Sequence, residues 1–132
     1  MSLAYTRNST VLVVEDDPSL RELFRVALTS AGYQVVAVED GVDALRRVEH
    51  KAPQAVVLDL ALPCMDGRDV SRELRARAST RDIPIVVVSG TDMADLNPDD
   101  FACLLRKPIH PEAVVFAVER SLRRVRRPES AV

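Results

Sequence analysis

The chain has 132 residues, of which 47% are apolar and 29% charged. That is the size of one domain and the balance of a folded globular protein, which excludes a disordered or collagen-like chain. The formal net charge of -2 gives no bulk attraction to nucleic acid or anionic lipid.

Met1 to Asn8 lacks the basic stretch and apolar core of a secretory signal, and no apolar run reaches membrane-spanning length, so a cytoplasmic location is expected. Residues 1–9 read as a flexible extension in which Met1-Ser2-Leu3 carries no structural role, 10–127 as the domain and 128–132 as a tail. Cys64 and Cys103 lack metal-ligand spacing and are expected to be free thiols.

Val11-Leu12-Val13-Val14 is a short β-branched-rich run that ends in Glu15-Asp16-Asp17-Pro18, the pattern of a buried strand entering a helix. Asp17 suits the cap and Pro18 the first helical position, and Leu20, Leu23, Phe24, Ala27 and Leu28 follow at helical spacing until Gly32. The alternation recurs with strand 34–38, helix 42–48, strand 54–59 and helix 68–77. Strand 83–89, strand 103–106 and helix 112–125 complete it. Short strands alternating with helices imply a parallel sheet covered on both faces. Five strands give an α/β, flavodoxin-like, doubly wound sheet, expected in the order 2-1-3-4-5. Ligands of such sheets bind beyond the carboxyl ends of the strands.

Placed on that frame, Glu15-Asp16-Asp17, Asp59, Ser89 and Lys107 fall at one edge. Carboxylates gathered there repel one another, and a hard cation taking oxygen ligands, best Mg²⁺, sustains them. A carboxylate can then attack a phosphoryl donor while a hydroxyl and an ammonium bind the equatorial oxygens, which makes Asp59 the candidate nucleophile. Taken singly, these residues have plainer readings. Glu15-Asp16-Asp17 can be a helix cap, Ser89 a strand-end hydroxyl bonded to nearby backbone, and Asp66-Gly67 a turn. Asp59 tips the balance, because a carboxylate on a buried strand costs several kcal/mol without a partner. Lys107 is notable in a chain with only one other lysine, Lys51. A compact ammonium reaches a crowded phosphoryl oxygen where a planar guanidinium does not fit.

These segments, together with Val57-Leu58-Asp59, Leu62-Pro63-Cys64-Met65-Asp66-Gly67, Val88-Ser89-Gly90 and Lys107-Pro108, resemble the receiver domains of two-component response regulators over about residues 10–125. The resemblance implies that Asp59 is the phosphoacceptor, Asp16 a direct Mg²⁺ ligand, Glu15 a water-mediated one and the Ala61 backbone carbonyl a further ligand. It also implies that Ser89 donates a hydrogen bond to the phosphoryl group, that Lys107 pairs with it, and that the Lys107–Pro108 peptide is cis. The implied partner upstream is a sensor histidine kinase or histidine phosphotransfer protein.

Such a domain is not an enzyme in the ordinary sense, since it catalyses only its own phosphorylation and dephosphorylation. Two other readings stand beside it. A Mg²⁺-dependent phosphatase with an aspartyl nucleophile would carry Asp-x-Asp after the first strand, where Glu15 occupies the nucleophile position. A phosphorylation-independent interaction module would not need the full set of site residues.

His50 and His110 fit helix ends and are read as structural. Arg120, Arg123, Arg124, Arg126 and Arg127 make the last helix basic, which its dipole explains without nucleic acid. Asp92, Asp95, Asp99 and Asp100 read as a solvated loop, with no ligand role. With Asn97-Pro98 in this stretch, the crossover between the fourth and fifth strands is expected to be short and irregular, without a long helix. Leu104 stands where many receivers carry an aromatic, and Phe101 lies too early to replace it. Phosphorylation is therefore expected to pull Ser89 inward and to order the 91–100 loop beside the last helix, with output read by a partner near 91–104 and that helix.

Overall fold

The computed structural model describes residues 9–126. The readings placed on residues 1–8, on Arg127 and on the tail 128–132 lie outside the described residues, as do the side chains of Val125 and Arg126. The elements in order are β1 (Thr10–Val14), α1 (Pro18–Ser30), β2 (Gln34–Val38), α2 (Gly41–His50), β3 (Ala55–Leu58), α3 (Gly67–Ala76), β4 (Ile85–Ser89), β5 (Cys103–Arg106) and α4 (Pro111–Arg126). The five strands form one sheet in the order β2-β1-β3-β4-β5, and every pairing is parallel.

Strand residues alternate between two cores because successive side chains point to opposite faces. Val11, Val13, Val57, Val86 and Val88 join Phe24 and Leu28 of α1 and Val114, Val118 and Leu122 of α4. Leu12, Val14, Val56, Leu58 and Val87 join Ala44 and Val48 of α2 and Val70 and Leu74 of α3. A sheet buried on both sides favours apolar residues on both faces of its strands, which is why Val11–Val14, Ala55–Leu58 and Ile85–Val88 read as unbroken apolar runs.

Helix starts follow local chemistry. The Asp17 carboxylate accepts from the Ser19 and Leu20 amides at 2.9 and 3.3 Å with Pro18 in the first turn, Asp40 accepts from the Asp43 amide at 2.7 Å, and Asp66 accepts from the Arg68 amide at 2.8 Å. Past α1, Gly32 takes φ 105, a conformation glycine adopts without steric cost. β4 begins at Ile85 and not at Ile83, because Pro84 has no amide to give to the ladder and offers only its carbonyl, to Val56.

Between β4 and β5 the chain forms no α-helix. Its regular structure there is a single 3₁₀ turn, Pro98–Asp100, capped by Asn97. The short irregular crossover expected from Asn97-Pro98 is what the fold contains. Leu104 and Phe101 both pack into the core shared with α2 and α3.

Candidate functional site

The carboxyl ends of β1, β3 and β4 and the residue after β5 converge at one edge. Glu15 follows β1 and Asp59 follows β3, and their side chains are almost fully buried, while Asp16 is exposed. One carboxylate oxygen from each of Glu15, Asp16 and Asp59 can lie within 4.8 Å of the others. Lys107, directly after β5, sends its Nζ to 2.9 Å from Asp59 Oδ2 and 2.8 Å from Glu15 Oε1. The Lys107–Pro108 peptide is cis.

Glu15 Oε2 accepts from the Asp17 amide at 3.1 Å. Oε1 is close to the Lys107 ammonium but off the direction of a hydrogen bond, so it makes a charge contact with no aligned donor among the described residues. Burial lifts the Glu15 pKa, Lys107 and the Asp17 amide draw it down, and the neighbouring Asp59 charge adds to the lift. The net direction is upward. For Lys107, burial works against the ammonium, but the close Glu15 carboxylate and the hydrogen-bonded Asp59 carboxylate outweigh it and hold the group above the ordinary lysine value. One ammonium thus faces two buried carboxylates with a third beside them, leaving an excess of negative charge and a buried oxygen lacking a donor. This all-oxygen donor set fits a hard divalent cation such as Mg²⁺.

Asp59 Oδ1 accepts from the Ala61 amide at 3.3 Å, so Ala61 meets the site through its backbone. Ser89 is fully buried at the end of β4. Its hydroxyl is 2.9 Å from the Thr91 hydroxyl and accepts from the Thr91 amide at 3.2 Å.

Two supports were not legible in the sequence. Arg21 on α1 donates to the Glu15 and Asp16 carbonyls at 3.0 and 3.4 Å, fixing the backbone of the acidic turn. Gly67 opens α3 so close to the strand that a Cβ there would meet the Asp59 carbonyl oxygen at 2.2 Å and Leu60 Cα at 2.6 Å. An Arg at α1 spacing and an Asp-Gly turn were the available signals, and neither specifies its partner.

The remaining candidates separate from this edge. His50 ends α2, and His110 precedes α4, its carbonyl accepting from Ala113. Cys64 and Cys103 are free thiols. Asp92 accepts from the Ala94 amide and Asp95 pairs with Arg68, while Glu15, Asp16 and Asp59 are the acidic group with metal-holding geometry among the described residues. Arg120 stacks over the exposed Phe116 ring at 6.0 Å. No helix among the described residues is long and apolar enough to cross a membrane.

A five-stranded parallel sheet in this order, with acidic residues after β1 and β3 and a lysine after β5, is a doubly wound α/β domain with a charged site at its carboxyl edge. The family model for the response regulator receiver domain matches residues 11–119, and the chain belongs to that family. It is a receiver domain of the two-component signalling type. It is 38% identical over 126 residues to the DNA-binding response regulator MtrA of Mycolicibacterium smegmatis, covering 90% of this chain and 53% of that protein. It is 37% identical over 121 residues to the response regulator MprA of a Mycobacterium species, covering 86% of this chain and 50% of that one. The chain therefore spans about half the length of these curated relatives.

Among solved structures it superposes on a sensor protein from Polaromonas sp. JS666 with TM-score 0.81 and 30% identity, covering 88% of this chain and 97% of that one. It also superposes, with TM-score 0.77 and 27% identity, on the receiver domain of a sensor histidine kinase from Pseudomonas aeruginosa PAO1 that has a magnesium ion coordinated in its active-site cleft. That match covers 87% of this chain and 98% of that one.

Proposed function

We propose that this domain accepts a phosphoryl group on Asp59 from a sensor histidine kinase or histidine phosphotransfer protein and thereby changes what it binds. The observation that carries the reading is the Lys107 ammonium 2.9 Å from Asp59 Oδ2, beside a three-carboxylate group that would hold Mg²⁺. Glu15, Asp16, Asp59 and the Ala61 backbone carbonyl would hold the ion, with Asp16 a direct ligand and Glu15 acting through water. When bound, the metal supplies neutralisation of charge on the phosphoryl oxygens and carboxylates.

An Asp59 carboxylate oxygen attacks the phosphorus of the donor, and the bond from phosphorus to the donor nitrogen or oxygen breaks, its electron pair leaving with the donor. Lys107 follows the charge from the Asp59 carboxylate onto the phosphoryl group. Its compact ammonium can turn between the two without losing Glu15. The Ser89 hydroxyl donates to a second phosphoryl oxygen. The near-complete burial of Asp59 shields its carboxyl carbon from bulk water.

The protein acts in the cytoplasm as a signalling domain over residues 10–127, with its output partner meeting the 91–104 segment and the last helix. Direct nucleic-acid contact is not assigned to this domain. Incubation with a small acyl phosphate and Mg²⁺ separates the readings. A stable protein phosphate supports the receiver reading, catalytic release of inorganic phosphate supports a phosphatase, and absence of any reaction supports a phosphorylation-independent module.

A further inference from the structure

The crossover from β4 to β5 lacks an α-helix, and α3 holds it with two arginines. Arg68 donates Nε and Nη2 to the Asp95 carboxylate at 2.7 and 2.9 Å, and Nη2 also reaches the Asp92 carbonyl at 2.7 Å. Seven residues on, Arg75 gives Nε to the Asp100 carbonyl at 3.0 Å, with Nη2 on the same oxygen. It gives Nη1 to the Arg81 and Ile83 carbonyls at 2.7 and 3.1 Å. The two sites lie two helical turns apart, so one face of α3 grips both ends of the crossover.

The grip at Arg68 leads directly to the phosphorylation edge. Asp92 follows Thr91, whose hydroxyl and amide engage the Ser89 hydroxyl. At this same end α3 is seated on the Asp59–Leu60 backbone at Gly67, which donates its amide to the Leu60 carbonyl at 2.8 Å. Ser89 can move toward a phosphoryl group on Asp59 only by drawing Thr91 and Asp92 along or by letting go of them. The Asp92 carbonyl is tied to a guanidinium that a bidentate carboxylate locks in place.

We propose that Arg68 is a positioning residue that holds the Ser89–Thr91 pair in its resting arrangement, so that release of Arg68 from Asp92 and Asp95 is a step of switching. The inference rests on the receiver reading of Asp59 and Ser89. It reverses the sign of the loop response expected from sequence: residues 91–95 are fixed at rest and loosen on activation.

Arg68→Ala and Asp95→Asn each remove the bidentate pair, and the second leaves Arg68 in place should the first fold poorly. Beryllium fluoride with Mg²⁺ serves as the phosphoryl mimic. Either variant should bind it about two- to fivefold tighter than wild type, the range set by an exposed ion pair, with Mg²⁺ affinity unchanged. Arg68→Lys, a single donor, should fall between. In the resting protein without metal, amide exchange over Thr91–Leu96 should be faster in both variants than in wild type. In wild type it should quicken when the mimic binds. Equal or weaker mimic binding in both variants, or greater protection of this segment on activation, overturns the inference while leaving the receiver reading intact. Failure of wild type to bind the mimic at all overturns both.

Discussion

The Lys107 ammonium meets Asp59 Oδ2 at 2.9 Å across 48 positions of sequence, and it does so from a strand end that also brings it 2.8 Å from Glu15. Replacing Lys107 with Met leaves two buried carboxylates facing each other. A loss of about 3 kcal/mol of stability at neutral pH is expected, the scale of breaking a buried pair on one side, as read by urea unfolding. Glu15 already sits above the ordinary glutamate value through burial. Below that raised value the native carboxyl is protonated while the unfolded one is still charged, until the ordinary value of 4.5 is passed. Falling pH through this window therefore favours the native state. The gap between Lys107→Met and wild type should narrow there, and a constant gap would contradict the burial argument.

Mg²⁺ should raise the melting temperature of the wild-type protein, and a chelator should reverse it. A hundredfold excess over Kd corresponds to about 3 kcal/mol of added stability for binding to the native state alone. Asp16→Ala removes an exposed carboxylate from the acidic group and should abolish the shift with little change in the metal-free protein. A full shift in Asp16→Ala would remove that residue from the site.

Gly67→Ala should destabilise by about 1–3 kcal/mol, the usual cost of forcing a methyl group into packed space. The added Cβ meets the Asp59 carbonyl oxygen at 2.2 Å, and backbone must move to admit it. Because the strand end that moves carries Asp59, phosphorylation should slow as well. Wild-type stability in this variant would show that α3 is not seated as described.

Tyr33 is buried, with its hydroxyl lacking a hydrogen-bond partner among the described residues. Burial, then the Glu119 charge, push its pKa up to about 12 from 10.0, against the pull of Arg123. The unfolded tyrosine loses its proton first, so stability falls as pH rises from 10 toward 12, by up to roughly 3 kcal/mol. Tyr33→Phe should lose less than wild type over this window and be equal or more stable at neutral pH. Parallel alkaline profiles would contradict it.

Much of this architecture was legible in the residues themselves. β1 and β3 are bounded by apolar runs against acidic residues, and α1 by Asp17-Pro18 and Gly32, each a local signal with a local cause. Asn97-Pro98 announced the missing helix in the same way. The Arg68–Asp95 pair was not legible, since it joins residues 27 apart through a crossover whose path no periodicity records. Nor was the Ser89–Thr91 contact, because a serine and a threonine two apart at a strand end have many alternative partners. The left-handed conformation of Cys64, φ 70, likewise has no compositional cue of the kind that Gly32 offers.

Intact mass spectrometry after incubation with acetyl phosphate and Mg²⁺ bears most directly on Asp59. Wild type should gain the mass of one phosphoryl group, and Asp59→Asn should gain none. An equal gain in both proteins would show that the acceptor lies elsewhere and would contradict the assignment of Asp59.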